Sequence, residues 1–508
     1  MKVLSAYFTP VFWISLAVTL LFFGIHWNVG LNLADEGYLW YGAQAIGRGE
    51  TPILDFQSYD PGRYYWCAWW FQHGRPGLVS LRFSEAFFAF FGLWAGLLAA
   101  QKYLVSRWEI LGLGVLLGLW MFPDYKFFDC CIPLIGIWMG LQLLESGPPR
   151  QVLAAWIFAG LAFWIGRNHG LYLTFVFFLL TLERVRRRGD GLSLSLWSLG
   201  GLTLGLLPFA WIGLEKEGFW QAYAVQALRI FQWGSTNLAL PIPWLWSPFQ
   251  GAGGGPGGHW FITAAANLLP LAYGLGLLQF WRHQKNPAPL DKILLVCSLV
   301  GAGYLHYFYS RADLEHLAVA LSPFWIGFGA WLAPRARLWR AFLMGMILFS
   351  FLGATAPYHL YKIRAFSPTP TIKYSMGTDE IWVYPDQAYF LNAVARLLKY
   401  QKPGQSLLIL PHWPTLYAVF GIKSPCWEIY PGFPASSQEQ EQMIKEMEKN
   451  HVRWALIDES WLDGREDLSF PNTHPEVWKY LNDRYRLFPK PFCHVADRLF
   501  FNPRAAQN

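Results

Sequence analysis

A helical membrane protein of about eleven crossings, ending in an extracytoplasmic α/β domain, is the fold class that the sequence predicts. Three observations predict it. The chain is 54% hydrophobic and only 14% charged, and its charges gather between long apolar runs instead of interleaving with them as on soluble amphipathic helices. Several runs between Val11 and Ala356 reach or approach the roughly 20 residues that a helix needs to cross a bilayer core. From about Tyr358 onward the composition becomes that of an ordinary soluble domain, which dilutes the average hydropathy. The 29 Trp residues can furnish interfacial belts at the helix ends.

The start Met1-Lys2 with its apolar run resembles a signal peptide. Phe22 to Trp27 offers no small-residue cleavage site, so this segment reads as an uncleaved first span. Spans are expected near residues 9–27, 82–104, 109–122, 130–144, 152–166, 169–182, 193–214, 262–281, 291–308, 316–333 and 339–356. With the N-terminus inside, the cytoplasmic loops hold Arg107, Arg150, Arg184 with Arg186, Arg187 and Arg188, Arg282 with Lys285, and Arg335 with Arg337 and Arg340. That bias obeys the positive-inside rule. The net charge of +7 is therefore loop charge and gives no sign of a nucleic-acid partner. An odd number of crossings leaves the tail outside. The expected division is a polytopic domain over residues 1–356, with outer loops 28–81 and 215–261, and an extracytoplasmic α/β domain over 357–508.

In the second outer loop Gly218 to Trp233 reads as an amphipathic interfacial helix. The glycine run from Gly251 to Gly258 lacks the Lys-Ser/Thr of a nucleotide loop and reads as a flexible hinge, giving a lid over the outer cavity. The tail alternates a helix near Asp386 to Lys399, a strand Ser406 to Leu410, a polar helix Gln438 to Asn450 and a strand Val452 to Asp458. Such alternation favours a parallel sheet, with Ser367-Pro368-Thr369-Pro370 as its linker. In an oxidising compartment Cys426 and Cys493 could pair.

Chemistry is expected in the outer loops. The first carries Asp35, Glu36, Asp55, Asp60 and Arg63 directly after span one. A carboxylate at the outer surface is placed to deprotonate an acceptor hydroxyl while a donor's lipid tail stays in the bilayer. Asp35 equally suits a helix cap, and Asp60-Pro61-Gly62 ordinary turn chemistry. At the outer start of the tenth span, Asp313 and His316 lie three apart on one helix face, and Arg311 suits a phosphate at headgroup level. A capping Asp313 and a snorkelling Arg311 explain the same residues. Lys126, between the third and fourth spans, either holds a phosphate or marks the interface.

The order DEGYLWYGAQAIGRGETPILDFQSYDPGRYYW after span one, with SRADLEHLAVALSP opening a late span, resembles the GT-C glycosyltransferases that use lipid-phosphate sugars. Nearest is the protein O-mannosyltransferase-like and lipid A aminoarabinose transferase-like (glycosyltransferase 39-like) group, and the resemblance covers most of the chain. It implies a GT-C-like fold in the bacterial inner (plasma) membrane. It also implies inverting transfer of a sugar from a polyprenyl-phosphate donor to a lipid, glycan or protein acceptor outside. On this resemblance Asp35, with Glu36 beside it, occupies the catalytic centre, and the family's later loop acid falls on Asp55 or Asp60. Arg63, Arg311 and Lys126 are then the phosphate partners, with Asp313 and His316 alongside. A divalent metal ion, proposed for some members, stays open, because no definite ligand set is visible. The rival classes are a transporter, which more often puts charges inside spans, and a non-catalytic scaffold whose tail binds a partner.

Overall fold

The computed structural model describes residues 10–145, 147–189, 191–233, 238–246, 255–489, 492 and 497–503. The chain forms two compact units. The first comprises Met1–Trp27, Arg82–Trp220 and Ala224–Phe366, and the second Asn28–Leu81, Gln221–Tyr223 and Ser367–Asn508.

The first unit is helical. Among the described residues six helices are long and apolar enough to cross a membrane: Leu78–Ala100, Phe127–Leu144, Gly191–Glu215, Gly258–Arg282, Pro289–Ser310 and Ala336–Lys362. Pro10–His26 and Pro149–Ile165 are shorter apolar helices. With Arg107–Leu119, Arg167–Arg188 and Leu314–Leu332, these helices carry all eleven of the expected segments. The chain is an integral membrane protein.

Local chemistry sets several helix ends. Ser106 begins Arg107–Leu119 by accepting the Glu109 amide at 3.3 Å, satisfying a donor that the first turn leaves open. Arg184, expected in a loop, is buried within the helix Arg167–Arg188. Its guanidinium donates to the carbonyls of Leu143 at 3.3 Å, Glu145 at 3.4 Å and Gly147 at 2.9 Å, so it closes the C-terminal end of Phe127–Leu144.

Small residues let two helices meet at their backbones. Pro149–Ile165 and Gly191–Glu215 pack through Gly160, Gly201 and Gly205, the small-residue spacing that favours close approach in lipid. A Cβ on Gly205 would lie 2.2 Å from the Ile157 carbonyl oxygen, and one on Gly201 would lie 2.6 Å from that of Leu153. Backbone cannot move aside as a side chain can. Gly205→Leu is therefore expected to separate the pair and lower the thermal midpoint of the detergent-solubilised protein. Gly200→Leu, whose added Cβ would meet nothing within 4 Å, is the matched control and should leave the midpoint in place.

In the second unit β1 (Ile372–Met376) and β2 (Asp379–Val383) form an antiparallel pair. A four-stranded sheet has the order β3-β4-β6-β5, with β3 Ser406–Leu410, β4 Val452–Asp458, β5 Arg486–Leu487 and β6 Asp497–Phe501. The expectation of a parallel sheet needs correction. β3 and β4 run parallel, but β6 is antiparallel to both β4 and β5. The physical reason is connectivity: a helical crossover joins β3 to β4, whereas β5 and β6 are consecutive strands that pair directly with each other. Leu408, Leu410, Ala455, Ile457 and Phe500 of the sheet bury against Met443 and Met447 of the helix Ser437–Lys449. Ser436 and Glu439 start that helix as a reciprocal capping box.

The segment expected as the first outer loop belongs to this same unit. Val29 bridges to Trp382 of β2. The helix Asp35–Gly47 lies so close to Thr415 that a Cβ on Gly37 would stand 2.2 Å from the Thr415 nitrogen. Thr415 donates its hydroxyl to the Asn32 carbonyl at 2.6 Å and its amide to Leu33 at 3.2 Å. The Trp427 indole donates to the Ile53 carbonyl at 3.0 Å. Cys426 is buried. Cys493 and residues 251–254 lie outside the described residues, and so does the pairing expected there; the rest of the glycine run expected as a flexible hinge, Gly255 to Gly258, instead begins the helix Gly255–Arg282, whose backbone bonds fix it.

Candidate functional site

In the first unit, four of the expected residues come together around the start of Leu314–Leu332. Asp313 is its N-cap, accepting the His316 amide at 2.8 Å through Oδ1. The same oxygen stands 2.7 Å from His316 Nδ1, and Oδ2 accepts Arg311 Nε at 2.7 Å. Lys126 Nζ lies 2.9 Å from Nε2 of the imidazole and 3.2 Å from Nδ1. His316 thus touches both Asp313 and Lys126. Lys126 and His316 are buried. Arg311 also donates from Nη1 to the Leu238 carbonyl at 3.0 Å, so its planar fork is already oriented. Beside them Tyr125 donates its hydroxyl to Glu315.

Electrostatics fit this geometry. Burial alone would raise the Asp313 carboxyl. The bond from His316, with the nearby charge of Lys126, outweighs it and holds Asp313 well below the usual carboxylate range. A carboxylate so anchored keeps two cations, Arg311 and Lys126, at the head of a span. Such an arrangement can neutralise a phosphate at the membrane surface.

Asp35, Glu36, Asp55, Asp60 and Arg63 belong to the second unit. Asp35 is the first residue of its helix, and the cap position is Ala34. The alternative in which Asp35 serves as the cap is thus not what the backbone adopts. Asp35 is partly accessible, whereas Glu36 is buried and accepts the Asn32 amide at 3.3 Å. Asp55 is exposed and closes its own turn by accepting the Thr51 amide at 2.6 Å. Asp60 and Arg63 are buried at the start of Pro61–His73, and the Arg63 guanidinium sits 4.9 Å over the Tyr59 ring. Tyr38, Tyr59 and Tyr64 stack edge to face around this turn. Burial, then the neighbouring phenols, pushes the Tyr38 hydroxyl well above its ordinary range, so it stays a neutral donor.

Two polar groups escaped the sequence reading. His169 is fully buried, with Nε2 2.7 Å from Asp129 and Nδ1 2.8 Å from the Tyr304 hydroxyl, while Tyr307 donates to Asp129 at 3.1 Å. An apolar run around a lone His hides such a partnership. Farther along, Arg82 and Glu85 are buried in Leu78–Ala100. With His26 and His359 they line a largely apolar cavity of about 50 Å³. Among the described residues no group of three or more His, Cys, Asp or Glu side chains is arranged to hold a metal ion.

No protein-family model matches this chain, and no curated protein matches it. Solved structures do. ArnT from Cupriavidus metallidurans in the apo state is similar at a TM-score of 0.54 and 10% identity, over 98% of this chain and 98% of that one. The same protein bound to undecaprenyl phosphate is similar at 0.53 and 11% identity, over 96% of each chain. The archaeal oligosaccharyltransferase AglB from Archaeoglobus fulgidus, in complex with an inhibitory peptide and a dolichol-phosphate, overlaps at 0.49 and 10% identity, over 98% of this chain and 74% of that one. The chain shares the fold of ArnT over nearly its whole length.

Proposed function

We propose that this chain is a membrane glycosyltransferase that moves a sugar from a polyprenyl-phosphate donor to a lipid, glycan or protein acceptor on the outer side of the bacterial inner membrane. The observation that carries the reading is the Lys126–His316–Asp313–Arg311 cluster at the head of a span. It supplies two oriented cations to a lipid-linked phosphate, in a chain whose fold matches ArnT nearly end to end. The solved ArnT complex holds undecaprenyl phosphate, which supports a donor of that chemical class here.

In the proposed reaction the acceptor hydroxyl gives its proton to Asp35 and attacks the anomeric carbon. The bond from that carbon to the phosphate oxygen breaks, and the polyprenyl phosphate leaves with the electron pair. Lys126 and Arg311 offset the charge that develops on it. One displacement inverts the anomeric centre. Arg63, Asp55 and Asp60 complete the proposed substrate-binding set, and a divalent ion would add to the same charge neutralisation.

Membranes with and without the protein, incubated with polyprenyl-phosphate sugars labelled in the sugar, test the reading. Label should pass to an acceptor fraction only with the protein present. The observation that favours a transporter instead is the pair Arg82 and Glu85 buried within one span. A transporter would move labelled donor or ion across vesicles without forming a new glycosidic bond.

A further inference from the structure

The edge of the C-terminal sheet where β3 and β4 end holds a polar cluster that the reaction above does not use. Such carboxyl ends are where open α/β sheets receive ligands. β3 ends at Leu410, and His412 follows two residues later. β4 ends at Asp458, where Asp497 faces it across the antiparallel ladder. Asp463 follows in a turn that holds its φ at 58°. The Tyr430 ring lies 5.8 Å from that of His412.

His412 is the group that points to a ligand. It is 9% exposed, and neither ring nitrogen has a hydrogen-bond partner among the described residues. Buried polar nitrogens are ordinarily satisfied. Burial lowers the His412 pKa, with Asp458 and Asp463 opposing from nearby, so the ring is held neutral and offers one donor and one acceptor. Asp458 accepts the Ser460 amide at 2.8 Å and the Ser460 hydroxyl at 2.7 Å, which leaves it lone pairs for a further donor. A donor–acceptor ring, carboxylate acceptors and an aromatic face together match adjacent hydroxyls on a ring with an apolar side. The carboxylates repel an anion. The absence of a three-residue ligand group among the described residues turns the choice away from a metal ion.

Tyr430 also joins this edge to the first outer loop. Gln57 donates from its side chain to the Tyr430 carbonyl at 3.1 Å and accepts the amides of Ile429 at 3.1 Å and Tyr430 at 2.8 Å. The Tyr430 ring meets Tyr38, one helical turn after Asp35, at 5.8 Å. The polar edge is thus built into the unit that carries the proposed base.

We propose that His412, Asp458 and Asp463, with the Tyr430 ring, form a subsite that binds adjacent hydroxyls of a neutral saccharide. Assigning that saccharide to the acceptor rests on the transferase reading, whereas its binding does not.

Saturation-transfer NMR on the full-length protein in detergent tests this, with the methyl glycosides of glucose, galactose, mannose and N-acetylglucosamine as probes. At least one glycoside should receive saturation. His412→Phe, which keeps a ring and removes both nitrogens, and Asp463→Asn should each weaken its binding about tenfold. Asn tolerates the left-handed backbone at position 463, so this variant decides the matter if His412→Phe fails to fold. No saturation of any glycoside by the wild-type protein would overturn the subsite, as would equal saturation by Asp463→Asn. Displacement of a bound glycoside by inorganic phosphate or by calcium chloride would overturn the neutral class. Glycoside binding without sugar transfer would sink the transferase reading alone. Transfer whose acceptor KM is unmoved by Asp463→Asn, with glycoside binding equally unmoved, would sink the subsite alone.

Discussion

Asp35→Asn protein is expected to insert and fold, yet to transfer sugar about 10²–10⁴-fold more slowly than wild type, the range that a positioned general base contributes. The local structure makes this substitution clean. Ala34 occupies the cap position, and Asp35 is the first helical residue, so Asn removes a favourable helix-dipole charge worth roughly 0.3–1 kcal/mol and no side-chain cap. Glu36→Gln is the contrasting variant. Glu36 is buried and its carboxylate receives the Asn32 amide, so its loss should lower yield and thermal midpoint before it touches turnover. Rates come from labelled-donor transfer at matched amounts of inserted protein. Near-normal turnover by Asp35→Asn would move the base to another first-loop acid.

Lys126→Met is expected to weaken polyprenyl-phosphate binding about 10–100-fold, since a hydrogen bond to a charged group contributes roughly 1.5–3 kcal/mol. Met keeps the length and apolar stem of the side chain while removing the ammonium that stands 2.9 Å from His316. Arg311→Lys probes the other cation. Arg311 reaches Asp313 from Nε and the Leu238 carbonyl from Nη1, two directions that a single ammonium cannot reproduce. Donor affinity should therefore fall even though charge is kept. Titration of intrinsic Trp fluorescence with undecaprenyl phosphate in detergent reads both variants. Unchanged affinity in the two together would reduce the cluster to a helix cap with a lipid-facing arginine.

Much of the fold was legible along the chain because its causes are local. Apolar length marks a span, and each expected segment falls on a helix. The strands Ser406–Leu410 and Val452–Asp458 begin and end where the sequence pattern put them, since a short apolar run bounded by polar turns has few other ways to bury itself. The direction of β6 was not legible. It follows from which strand the chain pairs with on its return, and periodicity carries no such information.

By itself the sequence determined the membrane class and the alternation of the tail, both properties of neighbours in the chain. Tertiary structure alone decided which side chains meet. Lys126 meets His316 across 190 positions of sequence, and Asp129 meets His169 across 40. Thr415 receives the start of the first-loop helix from more than 380 positions away. His412 drew no notice, because its surroundings come from strands and turns distant in sequence. A hydrogen bond or a buried charge depends on where separate segments pack, and that packing is a cooperative outcome of the whole core that no window of the chain contains.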